Sequence, residues 1–319
     1  MRKNDMFKTC LLAAAVLTFQ AAACLAANTE GVSGGQFLRI GVGAESAALG
    51  ETGAVGSGAQ SMFYNPAGLA SVAGSEIYLS QVQWIMETSY SNLAAAKKIG
   101  GGVLGLSVSR LGMPSTNKYD RLGNKLSDTY TATDMSAALG YGHALWSGAS
   151  LGLTLKYITS EIDDENATAM AADAGIKWAL VPGKLDFGAV LQNAGTKLKY
   201  LSEEEQLPRN FKVGAGYTVD VTGESEMQTA ISLLADMNYL KDSGSYANVG
   251  LQFAAKYAEG GNFALRGGYR TNAESAAAVS LGLGISGASY VVDYAYSAMG
   301  DLGQAHRFSL SLKFGGGAV

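Results

Sequence analysis

The feature that most constrains the fold is a period-2 alternation that runs from about Glu76 to Phe314. Segments of eight to ten residues alternate apolar with small or polar residues, and turn-prone stretches separate them. In the last segment, His306–Phe314, every second residue from Phe308 is apolar and the residues between are serine or lysine. Successive side chains of a strand point to opposite faces, so each segment predicts a strand with one apolar face.

The alternating segments number fourteen, although the first two alternate poorly. They lie near residues 76–85, 89–98, 102–111, 133–143, 149–158, 170–179, 184–192, 210–219, 227–237, 247–257, 262–270, 277–285, 289–297 and 306–314. Short connections fall on the side of the N-terminus, and longer ones, at 112–132, 159–169, 193–209 and 298–305, fall on the other. An even strand number with this alternation of connections is typical of bacterial outer-membrane barrels.

A soluble β-sandwich or propeller is the alternative, because its strands alternate too. The barrel is favoured because apolar faces end in aromatics, such as Tyr141, Tyr157 and Trp178, as an aromatic girdle would. The opposite faces hold glycine, serine and charges of both signs, which suits a lumen. Only 16% of residues are charged, against about 25% in soluble domains. The predicted fold class is therefore an all-β transmembrane antiparallel β-barrel of about 14 strands, at residues 76–314, with an N-terminal plug-like segment.

Residues 1–27 are predicted to be a secretory signal peptide. Arg2, Lys3 and Lys8 form a basic start, residues 11–19 are an apolar run too short to span a bilayer, and small residues suited to cleavage follow up to Ala27. After this segment no apolar run of about 18 residues occurs, so the sequence excludes a helical membrane protein.

Cleavage after residue 26 or 27 removes both cysteines, Cys10 and Cys24. The alternative, a lipoprotein that begins at Cys24, is disfavoured because the residues just before it are alanines. The formal charge of the mature chain would be −6 instead of −4, because three basic residues and one acidic residue leave with the signal. This charge argues against nucleic acid as a partner.

Residues 28–75 break the alternation and are rich in small residues. They are read either as a periplasmic extension or as a plug folded into the lumen. Residues 37–44, 47–51 and 63–69 resemble the N-terminal signature of PorV/PorQ proteins, within the FadL-like superfamily of outer-membrane barrels. The resemblance implies a fourteen-stranded barrel with an N-terminal plug. The plug motif it assigns is Phe63, Tyr64, Asn65, Pro66, Ala67 and Gly68. The tail at 315–319 departs from the family, because such barrels often end on an aromatic residue such as Phe314.

The sequence predicts no catalytic site, no metal site, no cofactor and no enzyme activity. The two histidines, His143 and His306, lie in different segments, and no cysteine survives export. Neither a Gly-x-Ser-x-Gly sequence nor a phosphate-binding glycine loop is found. An acidic cluster at residues 161–165 falls in a predicted outer loop, where it suits a calcium site or, by default, a solvated loop.

Charged residues are predicted to point into the lumen. The candidates are Lys156, Lys256, Arg266, Arg270, Asp293 and Arg307. They could line a substrate path, or they could form ion pairs that hold the plug and fill the barrel. Their mixed signs favour internal pairing over one selective field.

Three functions remain open for an exported barrel of the outer membrane. The first is cargo handling in type IX secretion, which the family resemblance implies. The second is FadL-like passive uptake of hydrophobic small molecules, and the third is a purely structural role. The expected partners are outer-membrane lipid, the barrel-assembly machinery, and either secreted cargo proteins or hydrophobic small ligands. The predicted outer loops are short for a protein that grips large cargo, which counts against the first function.

Overall fold

The computed structural model describes residues 33–200, 203–221, 228–257, 261–271 and 279–315. The predicted signal peptide, residues 1–27, lies outside the described residues. Among those described, no helix has the length and apolar character needed to cross a membrane.

Fourteen strands form a closed antiparallel barrel, which confirms the predicted fold class. They are β1 (Ser75–Gln83), β2 (Ser89–Ile99), β3 (Gly102–Gly112), β6 (Ala132–Ala144), β7 (Ala149–Ile162), β8 (Glu165–Val181), β9 (Leu185–Gly195), β12 (Asn210–Asp220), β13 (Thr229–Leu240), β14 (Gly244–Tyr257), β15 (Gly261–Arg270), β16 (Val279–Ser286), β17 (Tyr290–Ala298) and β18 (Gln304–Phe314). The strand order around the barrel follows the chain. Closure pairs β1 with β18, from Ser75 opposite Phe314 to Gln83 opposite His306.

We call the end of the barrel that carries Ser75 and Phe314 the terminal rim, and the opposite end the loop rim. Two small hairpins occur in the connections of the loop rim. One pairs β4 (Thr116–Tyr119) with β5 (Lys125–Tyr130), and the other pairs β10 (Leu198–Tyr200) with β11 (Glu203–Glu205).

The predicted outer loop at 159–169 is wrong. Strand β7 continues to Ile162 and β8 begins at Glu165, so a turn at Asp163 and Asp164 is all that joins them. The polar residues that suggested a loop lie at the exposed end of this hairpin, at 161–166, whereas Ala167 and Ala169 just beyond it are buried. The predicted separation of short and long connections is also incomplete, because only residues 241–243 join β13 to β14 at the loop rim.

Apolar side chains cover the outside of the barrel. Leu153, Leu251 and Leu281 are between 49% and 58% exposed, whereas Ser280, one position before Leu281, is 4% exposed. Aromatic side chains lie on this outer surface near both ends. Tyr141, Trp178 and Tyr217 lie towards the terminal rim, and Phe211 and Tyr269 lie towards the loop rim. This is the apolar band flanked by aromatic girdles of a barrel in a lipid bilayer.

The apolar band predicts that charge is costly there. Replacing Leu251 by lysine at mid-strand is expected to destabilise the inserted barrel by about 2–4 kcal/mol, because the ammonium enters hydrocarbon. Leu126 of β5 is similarly exposed, at 43% against 53% for Leu251, but it lies on a hairpin outside the barrel. Leu126→Lys is therefore the matched control, with an expected change within about 0.5 kcal/mol. Urea unfolding in lipid vesicles measures both variants, and equal losses would contradict the assignment of the lipid face.

Residues 33–74, which we call the inner segment, pass through the lumen from the loop rim to the terminal rim. Gly34 N donates to Gln206 O (2.9 Å) in the connection beside β11, and Gly74 O accepts from Lys98 N (2.8 Å) near the end of β2. The segment forms 3₁₀ turns at Gln36–Arg39, Ala59–Phe63 and Pro66–Ser71, and a short helix α1 at Ala44–Ala48. Its Phe37, Met62 and Leu69 are at most 2% exposed, so this part of the core lies inside the barrel.

Glycines on the wall allow the inner segment to approach the strands at backbone distance. A Cβ at Gly152 would overlap the backbone of Pro66 and Ala67, and one at Gly268 would overlap Gly50 N. Similar contacts occur around the lumen at Gly105, Gly140, Gly175, Gly188, Gly214, Gly250 and Gly282. The glycine-rich inner faces of the strands are thus the complement of the small residues in the inner segment.

Candidate functional site inside the barrel

Asn65 fixes the C-terminal part of the inner segment to the wall. Its side chain is fully buried, and Nδ2 donates to Ala54 O (2.7 Å) and to Ile176 O of β8 (3.0 Å). Its Oδ1 accepts from Ala67 N (3.1 Å), which caps the 3₁₀ turn that begins at Pro66. One amide side chain therefore satisfies three backbone groups that belong to three separate parts of the chain.

The other residues of the sequence motif also make contacts inside the lumen. The ring of Phe63 lies 6.4 Å from that of Tyr78 on β1, measured between centroids. Tyr64 Oη donates to Val42 O (2.8 Å), and Ala67 O accepts from Ser150 Oγ of β7 (3.0 Å). Together these residues bind the inner segment both to itself and to the wall.

Two carboxylates of the inner segment meet arginines of the wall. Glu51 pairs with Arg270 of β15 (2.7 Å) and with Arg307 of β18 (3.2 Å). Arg266 of β15 pairs with Asp293 of β17 (2.6 Å) and reaches Glu45 of the inner segment (3.5 Å). The side chains of the three arginines are at most 14% exposed, so these ion pairs are largely shielded from water.

Asp236 of β13 forms a further link between wall and inner segment. Its Oδ2 accepts from Gly53 N (2.7 Å) and Ala54 N (3.0 Å). Lys212 of β12 lies near the same oxygen, with 3.7 Å between Nζ and Oδ2. The inner segment is thus held along its length by directed polar contacts as well as by close packing.

The structure brings five of the six predicted lumen residues into ion pairs. Lys156 pairs with Asp173 (2.7 Å), and Arg266, Arg270, Asp293 and Arg307 take part in the pairs given above. Lys256 is exposed near the terminal rim and takes part in no ion pair among the described residues. The pairs of Glu45 and Glu51 hold the inner segment, whereas Lys156–Asp173 and Arg266–Asp293 join strands of the wall.

Sequence analysis missed the two carboxylates that the inner segment contributes to these pairs. Glu45 and Glu51 are the sole acidic residues of residues 33–75, and that is a signal that could have identified them. It also missed the amides. Gln192 Nε2 donates to Phe63 O (3.3 Å) and Tyr64 O (3.0 Å), and Asn248 Nδ2 donates to Glu51 O (2.9 Å). Isolated amides carry no spacing pattern that sets them apart from the rest of a strand.

A cavity of about 70 Å³, measured as the space open to the centres of water molecules, lies in the loop-rim half of the lumen. One water molecule needs about 10–15 Å³ by this measure, so the cavity has room for a few waters or one small solute. Its lining is mostly polar on the side of β7, β9, β12 and β14. The residues on that side are Lys156, Gln192, Asn193, Asn210, Lys212, Tyr246 and Asn248. Leu38, Ile40, Met62, Phe63 and Tyr90 form much of the opposite side.

The acidic cluster at residues 161–165 does not form a metal site in the part of the chain that the structure describes, where no group of three or more potential ligands comes together. Asp163 instead pairs with Lys118 of β4. The hydrogen bond that Lys118 donates to Asp163 raises the pKa of the Lys118 ammonium. This pair ties the β4–β5 hairpin to the β7–β8 turn.

A family model described as type IX secretion system membrane protein PorP/SprF matches residues 132–312. The match covers 181 of the 319 residues, more than half of the chain. No curated protein matches the sequence.

Solved structures of channels share the fold. The CymD monoaromatic hydrocarbon channel aligns with a TM-score of 0.58 and 14% identity, over 86% of this chain and 98% of that one. The toluene transporter TbuX of Ralstonia pickettii aligns with a TM-score of 0.58 and 13% identity, over 90% of this chain and 100% of that one. At this level of identity the likeness establishes the barrel architecture.

Proposed function

Because the chain belongs to the PorP/SprF family of type IX secretion system membrane proteins, we propose that it acts as an outer-membrane barrel in protein secretion. The family match over residues 132–312 is the observation that carries this proposal. The related families are barrels of secretion systems and channels rather than enzymes.

The lumen supports a role as a closed structural component better than a role as an open channel. The inner segment crosses the lumen, and the ion pairs of Glu51 and the hydrogen bonds of Asn65 and Asp236 fix it to the wall at three points. In this role the inner segment is a plug, and Phe63–Gly68 form its anchor.

A passive channel for hydrophobic molecules, similar to FadL, is the second candidate function. The solved structures of hydrocarbon channels favour it, because they share the barrel. Its weakness here is the cavity, since ligand pockets for apolar molecules are lined mainly by apolar side chains. In this barrel, lysine, asparagine and glutamine side chains form most of one side of the cavity.

The closer relationship to PorV/PorQ proteins is part of the proposal. It rests on residues 37–44, 47–51 and 63–69, which lie outside the matched range 132–312. Under this proposal the chain handles cargo at the surface of the barrel. The β4–β5 hairpin is the surface best suited to protein contact, because Tyr119 and Leu122 are 60% and 87% exposed beside Arg121.

The two functions predict opposite results in a strain that lacks the gene. For secretion, type IX cargo is expected to accumulate inside the cell and to return to the medium when the wild-type gene is restored. Quantitative proteomics of the medium measures this. In parallel, toluene is expected to enter cells of this strain and of the wild type at the same rate. Normal secretion together with toluene entry that depends on the barrel would contradict the secretion proposal and support the channel.

Surface variants locate the contact. The double change Tyr119→Ser and Leu122→Ser removes apolar surface from the hairpin tip, and it is expected to reduce cargo release several-fold while the barrel still inserts. Leu302→Ser is the matched control, because Leu302 is 45% exposed in another connection of the loop rim. Equal reduction by both variants would argue against contact at this hairpin.

A further inference from the structure

The polar side of the cavity contains a buried cation, Lys212, that donates no hydrogen bond within 3.5 Å among the described residues. The Lys212 side chain is 5% exposed, and the nearest carboxylate oxygen, Asp236 Oδ2, lies 3.7 Å from Nζ, which is longer than a hydrogen bond. The same oxygen accepts from two backbone N–H groups of the inner segment. The Lys212 ammonium, which lines the cavity, therefore has donors to offer there.

Two buried acceptors accompany this cation. Asn210 and Asn248 line the cavity, are 7% and 1% exposed, and have Oδ1 atoms without a hydrogen-bond partner. Their orientations are fixed by the amide nitrogens. Asn248 Nδ2 donates to Glu51 O (2.9 Å), and Asn210 Nδ2 donates to Gln192 Oε1 (3.1 Å) and to Asn238 Oδ1 (2.9 Å). If either amide were rotated by 180°, its oxygen would face the acceptor oxygens that its nitrogen now contacts, which is unfavourable. The atoms without a hydrogen-bond partner are therefore the amide oxygens.

The charge around the cavity is positive. The charged residues that line it, taken with their ion-pair partners, are Arg39, Lys156, Lys212, Arg270 and Arg307 against Glu51, Asp173 and Asp236. Five cations and three anions leave a net charge of +2. Ordered water can satisfy the two amide oxygens, but it does not balance this charge.

We propose that the cavity binds a small organic anion that carries a hydrogen-bond donor next to its carboxylate, that is, an α-hydroxy acid. The carboxylate lies against the Lys212 ammonium, and the neighbouring O–H donates to Asn210 or Asn248. The size of the cavity limits the ligand to a few heavy atoms. The site depends on the lumen alone and holds whether or not the chain acts in secretion.

Calorimetry on the full mature chain in detergent micelles tests this, with L-lactate, L-alanine and acetate as probes. Saturable binding of L-lactate is expected, whereas the L-alanine zwitterion, which has no net charge, is expected to bind about ten-fold or more weakly. Acetate lacks the donor and is expected to bind about ten-fold or more weakly. The absence of saturable L-lactate binding would overturn the proposal, and so would binding of acetate or L-alanine as tightly as L-lactate.

Variants assign the binding to this cavity. Lys212→Met is expected to weaken binding about ten-fold or more, because a charge-assisted hydrogen bond is lost, whereas Lys212→Arg keeps the charge and most of the affinity. Lys256→Met, at an exposed lysine of β14, is the matched control and leaves binding unchanged. Asn210→Leu removes one acceptor without changing charge, and a heat-dependent gel shift verifies that each barrel is folded. Equal binding by Lys212→Met, Asn210→Leu and Lys256→Met, all folded, would place the ligand elsewhere.

Discussion

Glu51→Gln is expected to lower the free energy of unfolding of the barrel by about 3–5 kcal/mol, the typical cost of removing one partner from a buried ion pair. Glu51 is the shared partner of Arg270 and Arg307, at 2.7 and 3.2 Å, and its side chain is 17% exposed. Glutamine keeps the shape but leaves two buried guanidinium groups without a countercharge. Urea unfolding of the barrel in lipid vesicles, followed by tryptophan fluorescence, measures the loss.

The control for this prediction is a carboxylate in an exposed pair. Glu204 pairs with Lys197 (2.9 Å), and both side chains are about half exposed. The hydrogen bond and charge of Lys197 lower the pKa of Glu204, but water screens the pair, so Glu204→Gln is expected to leave the unfolding midpoint unchanged. If the two variants unfold at the same urea concentration, the carboxylate of Glu51 does not hold the inner segment to the wall.

The strands of the barrel could be predicted from the sequence because their signal is local. Each strand must place apolar side chains in lipid and small or polar ones in the lumen, so a period of two appears within the strand itself. The prediction failed between β7 and β8, where the strands extend beyond the apolar band. There Glu161 and Glu165 lie in water, and the strands no longer need an apolar face. The amino-acid composition of an exposed strand then resembles that of a loop.

The contacts of the inner segment could not be predicted, because they depend on where a chain without alternation passes each strand. Lys156 and Lys256 show a related limit, which concerns how deep a side chain lies in the barrel. Both were predicted to point into the lumen, yet Lys156 lies deep enough to pair with Asp173 and Lys256 is exposed near the terminal rim. Depth along the barrel axis, as well as the face of the strand, decides whether a lumen-facing lysine is enclosed in the barrel or exposed at its rim.

A similar limit applies to Asp173 and Asn193. The register between β8 and β9 shifts at Ala172 and Ala174, and Asn193 adopts a positive φ of 57° beside this bulge. The bulge lets Asp173 Oδ1 accept from Asn193 N (2.8 Å), while Asn193 Oδ1 accepts from Lys156 Nζ (2.8 Å). A bulge re-aims side chains without changing the apolar pattern of the strand, so this network has no signature in the sequence.

The second large effect is expected from Gly152→Val. A Cβ at Gly152 would overlap backbone atoms of Pro66 and Ala67, and backbone cannot move aside by changing a rotamer. The substitution therefore displaces the 3₁₀ turn at Pro66–Ser71 and breaks the bond between Ser150 Oγ and Ala67 O. The free energy of unfolding is expected to fall by about 1–3 kcal/mol or more, since about 1–3 kcal/mol is the typical cost of overpacking a core. The strand pairs of the barrel do not involve these atoms, so the barrel still inserts.

Displacement of the inner segment opens the lumen, and single-channel conductance in planar bilayers measures it. Gly152→Val is expected to give larger or more frequent openings than wild type. A variant that lacks residues 34–70 is expected to show the same change more strongly, because fourteen strands enclose more space than their own side chains fill. Gly267→Val is the matched control. Among the described residues, the one atom within 4 Å of a Cβ at Gly267 is Leu281 Cδ2, at a normal van der Waals distance of 3.7 Å. This variant is therefore expected to keep the conductance of the wild type. Closed behaviour in both Gly152→Val and the deletion would mean that wall residues or connections block the lumen, and that the inner segment is not its plug.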